Sequence, residues 1–391
     1  MEEKLWTRDF TLLCVIQSAL TLTFYATMPV LPLFLENDLG LTGLVMGLVT
    51  ACYTITATLI RPFGGYVIDR VGRMPVLLPS FFLFGLLFLL YPLAASVLFI
   101  AFLRLSHGVV WGTYMGAVNT VAVDLVPASR RGEGIGIFGL CMSITMALGP
   151  ALGVALAGKF GFDTLFLVSG IFLLIMFVPT LKIRAPKVEL TVKPFSWKGL
   201  IEKTSLPLSL VTVFVYFSYG PIVNYTALYA RTEIQASAGL FFMLMAFGMA
   251  LARVFAGRSY DRRGPRDVMI VSFTLLVIGY GLQALTRSAV CFYAAALIIG
   301  VGFGIVMPVS QAMINALVGP ERRGAANATL MTALDIGICL SIVVVGYLQA
   351  DFGWNICLWS EVVGVILGAV TFFGYALPHY HKVMAENRCK N

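Results

Sequence analysis

Four side chains able to hold or exchange a proton sit inside otherwise apolar runs. Arg104 and His107 lie one helical turn apart, Asp335 stands alone about eleven residues into its run, and Glu361 lies near the C-terminus. In hydrocarbon a lone charge costs ~2.5–3.5 kcal/mol on insertion scales, so such residues need a reason to be there. A carboxyl whose proton affinity is set between burial and a neighbouring cation can take a proton from one side and release it to the other. Asp335 suits that role best, Glu361 is the second acid, and His107 carries the one side chain that titrates near neutrality unperturbed. Arg104, about seven residues into its run, is too deep for a simple end anchor, although a long side chain can snorkel. A structural hydrogen-bonded histidine or acid is the competing reading at each position.

The elements that must position these groups are legible in the composition. The 391 residues are 59% hydrophobic and 12% charged, against roughly 25% charged in a soluble domain. The apolar residues come in blocks of about 20, enough to cross a ~30 Å hydrocarbon core as helices. We count twelve such spans, the first near 10–35 and the last near 354–377. The first is long enough to be a retained span, unlike the ~7–15-residue apolar stretch of a cleavable leader. The pattern predicts an all-α membrane protein, twelve transmembrane helices in two pseudo-symmetric six-helix bundles. Residues 1–182 form the first bundle, 183–204 a polar, basic cytoplasmic linker, and 205–391 the second. All but four of the 27 Lys and Arg (Arg104, Lys159, Arg231 and Arg287) fall in the termini and even-numbered loops. That bias places both termini in the cytoplasm and accounts for the net charge of +8 without nucleic-acid binding.

A shift of 192 residues aligns the halves without a gap. It sets Arg61, Gly65, Asp69, Arg70 and Gly72 on Arg253, Gly257, Asp261, Arg262 and Gly264, and Gly108 and Gly112 on Gly300 and Gly304. Like-oriented halves are the parallel repeat of one large transporter class. Gly64 and Gly65 allow helix ends to approach closely at the turn between spans two and three, where Gly72 also lies. Asp69 can face the positive end of a neighbouring helix, and Arg70 and Arg73 can pair with acids or with lipid phosphates. Asp124, ending span four, is expected to join Arg70 or Arg131 in the same network, with Asp261 and Arg262 as the second copy. These residues would form a conformational latch; a basic turn that only fixes topology is the alternative.

The stretch "GGYVIDRVGR" resembles the loop signature G-x-x-x-D-R-x-G-R of the major facilitator superfamily. "RLSHGVVWG" (104–112) is similar to the R-x-x-Q-G motif of its proton-coupled members, with His107 in place of glutamine. "GLCMSITMALGPALG" (139–153) is similar to the fifth-helix antiporter motif, and "MPVLP" (28–32) to the P-x-x-P ending of helix one. The resemblance implies a proton-coupled antiporter expelling a small amphipathic molecule such as a drug or metabolite. It implies a proton role for Arg104 at a central cavity, a cytoplasmic-membrane location and a monomer. Gly149, Pro150 and Gly153 would then be a hinge, since proline removes a backbone donor and glycines permit close packing; plain packing is the alternative.

In span seven, Gly220-Pro221 is expected to break or kink the helix amid Tyr216, Tyr219, Asn224, Tyr225 and Tyr229, the last nearest the outer boundary where an interfacial aromatic is the competing reading. Interrupted helices often carry substrate sites. Gln17, Tyr25, Asn119 and Gln311 are the other candidate cavity residues. The seven cysteines show no metal spacing, a G-x-G-x-x-G in the glycine run from Gly132, starting at Gly134, follows no strand, and no nucleophile–base set is visible. We therefore expect no cofactor beyond the proton gradient and no enzyme. A nutrient–proton symporter on the same fold, and a non-transporting receptor or lipid-handling protein, are the rival readings.

Overall fold

The computed structural model describes residues 4–127, 130–185, 201–285, 287–318 and 322–390, and within these it is helical with no strand. The elements are α1 (Arg8–Thr27), α2 (Leu31–Leu39), α3 (Gly43–Val71), α4 (Arg73–Phe88), α5 (Val97–Leu125), α6 (Arg131–Phe160), α7 (Phe162–Thr180), α8 (Leu206–Tyr229), α9 (Ala238–Leu285), α10 (Ala289–Leu317), α11 (Arg323–Thr371) and α12 (Leu377–Lys390). Local chemistry sets the ends. The Thr7 hydroxyl accepts from Phe10 N at the start of α1, and the Ser96 hydroxyl accepts from Phe99 N at the start of α5, each satisfying an otherwise orphaned first-turn donor. Glycines with positive φ cut the chain between helices: Gly72 (φ 103°), Gly161 (86°), and Gly264 and Gly353 (76° each), the last two inside α9 and α11. Only glycine adopts that backbone without strain.

Among the described residues, nine helical runs are long and apolar enough to cross a membrane. Arg73–Phe88 and Ala238–Arg253 are shorter apolar helices, and one of the nine, Ala325–Glu386, contains the Gly353 break. Phe162–Thr180 has a mean hydropathy of 2.1 yet only 28% of it is buried, whereas Lys203–Ile234, at 1.7, is 72% buried. The more apolar helix shows more surface, the reverse of a water-soluble core. Exposed Leu98, Val290 and Val370 on one side, and buried Gln17, Arg104, Asn224 and Glu361 on the other, repeat the inversion. The surface these helices present is suited to lipid.

The chain divides into two compact units. One comprises Met1–Leu41 with Val49–Phe195, the other Thr42–Leu48 with Ser196–Asn391; the short segment 42–48 thus groups away from the rest of α3. In the first unit α1 packs on α6, and α4 on α5 and α7; in the second α8 packs on α11, and α9 on α10. The expected linker, 183–204, lies largely outside the described residues.

The 192-residue shift recurs in the packing within each unit. A Cβ on Gly108 would strike Tyr53 O, and one on Gly112 would meet Ala57 O. At the shifted positions, a Cβ on Gly300 would strike Met245 O, and one on Gly304 would meet Met249 O. Tyr53 and Met245, like Ala57 and Met249, are themselves 192 apart. The positive-φ pairs Gly72/Gly264 and Gly161/Gly353 share that offset. The same close approach of two glycines to the carbonyls of the facing helix is therefore built twice.

Candidate functional site

In the first unit the polar interior is organised around α5. Arg104 is 5% exposed. Its Nη2 donates to Thr50 O at 3.0 Å, and its guanidinium lies 4.9 Å from the centroid of the Tyr53 ring. Nε has no hydrogen-bond partner, and no described carboxylate forms an ion pair with this side chain. A buried guanidinium held by a carbonyl and an aromatic face keeps its full charge and spare donor capacity. His107 is fully bonded by contrast. Nε2 meets Phe84 O at 3.1 Å and can only donate to it, while Nδ1 meets the Tyr91 hydroxyl at 3.1 Å. With both nitrogens engaged and Phe84, Phe88 and Tyr91 packed around the ring, His107 has the bond set of a structural histidine. Gln17 is likewise spent: its Oε1 accepts from the Tyr114 hydroxyl at 3.1 Å and its Nε2 reaches Met115 Sδ at 3.7 Å. Tyr25 is half-buried against Phe24, and Asn119 is exposed, donating to Met115 O.

The antiporter-type motif on α6 is a packing surface. Gly149 stands against the Leu22 carbonyl and Ala26 amide of α1, and Gly153 against the Ala26 carbonyl, so tightly that no side chain fits at either place. Beside them the Thr21 and Thr145 hydroxyls bond at 2.6 Å. Pro150 is buried within a helix that continues from Arg131 to Phe160.

In the second unit the expected break at Gly220-Pro221 is absent: α8 runs through it to Tyr229. The helix is held there by the neighbouring α11, because Gly220, lacking a Cβ, seats directly on the Ser341 hydroxyl and Ile338 carbonyl. The irregular turn comes later, a wide turn at Ala230–Ile234. Tyr216 and Tyr219 are buried and pack on each other and on Phe303. Asn224 Nδ2 bonds to Gly220 O while its Oδ1 is buried without a partner. Tyr225 donates to Ile342 O at 2.9 Å. Gln311 is half-buried on α10 and Asp335 is buried on α11.

Beyond Tyr225 a narrow cleft opens, lined by Pro221, Ile222, Tyr225, Thr226, Tyr229, Trp354, Leu358 and Glu361. Glu361, 4% exposed, is its sole acid. The Glu361 backbone is locked to α8 by the Ser218 hydroxyl donating to its carbonyl at 2.6 Å, and the Tyr280 hydroxyl donates to Ser218 O at 2.5 Å. Trp354, Leu358 and Glu361 form an i, i+4, i+7 stripe, so one face of a single helix supplies an aromatic, an apolar and an acidic lining group. That stripe is the signal the sequence offered for this site. Sequence reasoning named Glu361 only as the second acid and left Thr226 and Trp354 out of the candidate cavity.

On the residues expected to form the latch, the structure pairs Asp124 with Arg73, Nε–Oδ2 2.6 Å, a partner the sequence reading had not named for it. The reason is the turn: Gly72 at φ 103° starts α4 at Arg73 and directs that side chain to the end of α5. Arg70 Nη1 instead donates to the Tyr66 hydroxyl at 3.1 Å. Arg262 is exposed. The side chains at Gly65, Asp69, Arg131 and Asp261 lie outside the described residues. A second cluster went unforeseen. Arg322 grips Glu202 Oε2 with Nε at 2.8 Å and Nη2 at 2.7 Å, while Thr204 donates twice to Oε1 and Glu202 N donates to the Thr329 hydroxyl. Burial pushes the Glu202 carboxyl up, but the bonds from Arg322 and Thr204 outweigh it and hold it below the usual carboxylate range.

Comparison with known proteins follows the same lines. Residues 13–235 and 207–387 match the Major Facilitator Superfamily. The chain belongs to that family. It is 24% identical over 379 residues to the staphylopine export protein of Staphylococcus aureus, spanning 89% of this chain and 92% of that one. It is 23% identical over 387 residues to the multidrug resistance protein MdtG of Citrobacter koseri, spanning 93% of each. Among solved structures, a bacterial homologue of the human lysosomal transporter Spinster superposes with a TM-score of 0.80 at 15% identity, over 96% of this chain and 97% of that one. A peptide transporter superposes at 0.77 and 14% identity, over 96% of this chain and 95% of that one. This superfamily member is thus a multi-pass membrane transporter of small molecules, not an enzyme, and its relatives include proteins named for export. Among the described residues no cluster of metal-ligating side chains occurs.

Proposed function

We propose that this transporter expels a small amphipathic molecule from the cytoplasm by alternating access, driven by protons moving inward. Twelve crossings, cytoplasmic termini, bundles at 1–182 and 205–391 and a monomeric state belong to this reading. One observation carries it: three ionisable side chains, Arg104, Asp335 and Glu361, are at least nine-tenths buried within apolar helices. Such groups are costly in a membrane and mark ion or proton pathways. Asp335 and Glu361 are the proton-carrying acids, and Arg104 is the fixed positive charge. The gripping residues Arg73 and Asp124, with the repeated Asp69/Asp261 and Arg70/Arg262 positions, hold the cytoplasmic ends in one state and release them in the other. His107 serves α5 packing in this scheme.

Each proton supplies about 1.4 kcal/mol per pH unit and about 2.3 kcal/mol per 100 mV. One proton at one pH unit and 100 mV therefore sustains a substrate ratio of several hundredfold. The test uses inside-out vesicles from cells making the full chain, with export substrates first found by a toxicity screen. Uptake into these vesicles should collapse with an uncoupler. Asp335→Asn or Glu361→Gln should abolish gradient-driven uptake while leaving substrate counterflow. Full uptake with an uncoupler present, or undiminished drive in both variants, refutes proton coupling.

A further inference from the structure

Glu361 lies deep in its cleft, and the way out is narrow. Tyr229 ends α8, and Trp354 directly follows the Gly353 break, so both rings stand at the same end of the second unit. Their centroids are 5.3 Å apart. Glu361 comes seven residues after Trp354 on one helix, which at 1.5 Å per residue is roughly 10 Å deeper. A proton moving between Glu361 and that end passes the two rings. Tyr229 is held in place there. The Arg287 guanidinium lies 5.6 Å from its ring centroid, and Arg287 Nη1 donates to its hydroxyl at 3.3 Å. The same nitrogen reaches Glu233 Oε2 at 3.1 Å, so one arginine ties the ring to an acid on the next turn.

We propose that Arg287 and Glu233 are positioning residues for the proton step: they hold the Tyr229 ring as a cap on the cleft and set how fast Glu361 exchanges its proton with the medium at that end. Two observations favour a built device over a chance surface pair. The first is the turn that presents Glu233. It is the wide turn Ala230–Ile234, closed by Gln235 N and Ala236 N both donating to Ala230 O. Gln235, at φ 55°, is the sole residue other than glycine with a positive φ among the described residues. A left-handed non-glycine residue costs free energy and persists where its surroundings impose it, commonly at functional sites. Ser237 N donates to the Tyr293 hydroxyl at 2.9 Å and fixes the far end of the turn to α10. The second is the repeat. Under the 192-residue shift Glu361, Tyr229, Glu233 and Arg287 fall on Ser169, Asn37, Leu41 and Ala95. The unit that lacks the acid has none of the cap.

The strength of the grip suits a cap that opens. The Arg287 and Glu233 side chains are 43% and 34% exposed, and exposed ion pairs hold weakly because water and salt compete with them. The pair therefore parts often, where a buried one would keep the ring shut. Inside the cleft Glu361 is the sole acid and the Tyr225 hydroxyl is committed to Ile342 O, so no second lining carboxyl relays the proton past Tyr229. The inference deepens the efflux reading and rests on it for Glu361 as a proton carrier and for this end as the outer one.

The experiment follows the proton itself, on the full chain in lipid nanodiscs with no gradient and no substrate. In mildly acid buffer the infrared carboxyl band missing from Glu361→Gln belongs to Glu361, and its shift on transfer to deuterated buffer times the exchange. Arg287→Gln should quicken that exchange about fivefold, the factor that about 1 kcal/mol of lost ion pair represents. Glu233→Gln should quicken it less, because the Arg287–Tyr229 contact survives. Thr232→Ala, in the same turn but outside the grip, should keep the wild-type rate. All three positions are exposed, so none of these substitutions opens the core. Wild-type rates in both Arg287→Gln and Glu233→Gln overturn the cap, and so does equal quickening in Thr232→Ala, which would mark the turn as merely loosened. Wild-type protein with no Glu361 carboxyl band in acid overturns it too, since there is then no proton to cover. Quickened exchange without proton-driven export keeps the cap and sinks the efflux reading; intact export with unchanged exchange does the reverse.

Discussion

The seam glycines make the sign of a single methyl group predictable. At Gly108 and Gly300 an added Cβ would collide with the Tyr53 and Met245 carbonyls, which are backbone and cannot swing aside. At Gly158 and Gly281, also helical, a Cβ would meet nothing within 4 Å. Alanine is favoured over glycine in a helix by about 1 kcal/mol, and that gain is common to all four sites. Overpacking against a fixed neighbour costs typically ~1–3 kcal/mol, and it applies only to the seam pair. Gly158→Ala and Gly281→Ala should therefore stabilise by up to about 1 kcal/mol, while Gly108→Ala and Gly300→Ala should be neutral to destabilising by about 2 kcal/mol. For units of roughly this size, 1 kcal/mol corresponds to about 2–4 °C in Tm. Heating the purified protein and measuring the fraction that stays monodisperse gives the four midpoints. Gly108→Ala/Gly112→Ala should lose less than the sum of its parts, because one outward shift of α3 relieves both collisions. If all four single variants move Tm in the same direction and by the same amount, the duplicated seam is not a close-packed contact and the register argument fails.

Two further outcomes test individual bonds. Glu202 is held below its ordinary range, so its contribution is full above the usual carboxylate pKa and lost as pH falls through the depressed folded value. The Tm difference between wild type and Glu202→Gln should be steady at neutral pH and vanish in acid, and since Arg322 is 42% exposed it should correspond to only ~0.5–1 kcal/mol. His107→Gln can keep a donor for Phe84 O and an acceptor for Tyr91, and should leave the pH profile of transport unmoved. His107→Leu, which orphans both groups, should cost about 1–3 kcal/mol in thermal stability. A displaced pH profile in His107→Gln would return the histidine to the proton pathway.

The spans, the turn glycines and the repeat were open to reading because each depends on local chemistry: hydropathy over a helix length, a φ that only glycine tolerates, an offset between identical letters. What stayed hidden depends on which way a helix faces. Glu361 lies on an apolar helix whose inward stripe is set by the Ser218 bond to its own carbonyl, a contact 143 residues distant in sequence. The Arg73–Asp124 pair turned on where α4 begins, one residue beyond Gly72. Gly220-Pro221 carried the strongest local signal for a break and was overruled by tertiary contact, since the same missing Cβ that weakens a helix lets it seat on Ser341 and Ile338.

The duplication also separates scaffold from chemistry. Under the 192-residue shift the seam glycines keep their type, and so do the charged turn residues Asp69/Asp261 and Arg70/Arg262. The interior groups do not. Arg104 falls on Ala296, His107 on Ile299, Asp335 on Ser143 and Glu361 on Ser169. A glycine seam serves both copies equally, and a charge in a membrane-surface turn is solvated in either. A buried ionisable group costs several kcal/mol wherever it stands, so a second copy with no task is a burden that a neutral residue removes. The first unit thus retains a lone guanidinium bonded to Thr50 O, and the second a carboxylate in an aromatic cleft. Restoring symmetry is informative for that reason. The cleft residues Tyr225, Tyr229 and Trp354 fall on Leu33, Asn37 and Phe162, so two of the three aromatic side chains are missing from the first unit. Ser169→Glu would place an acid there, at a position only 4% exposed, with no task to offset its burial. The variant should be less stable by ~3 kcal/mol or more, read as a lowered Tm. An unchanged Tm in Ser169→Glu would show that the position bears a charge without cost, and that burial does not explain why the acid stands in one unit alone.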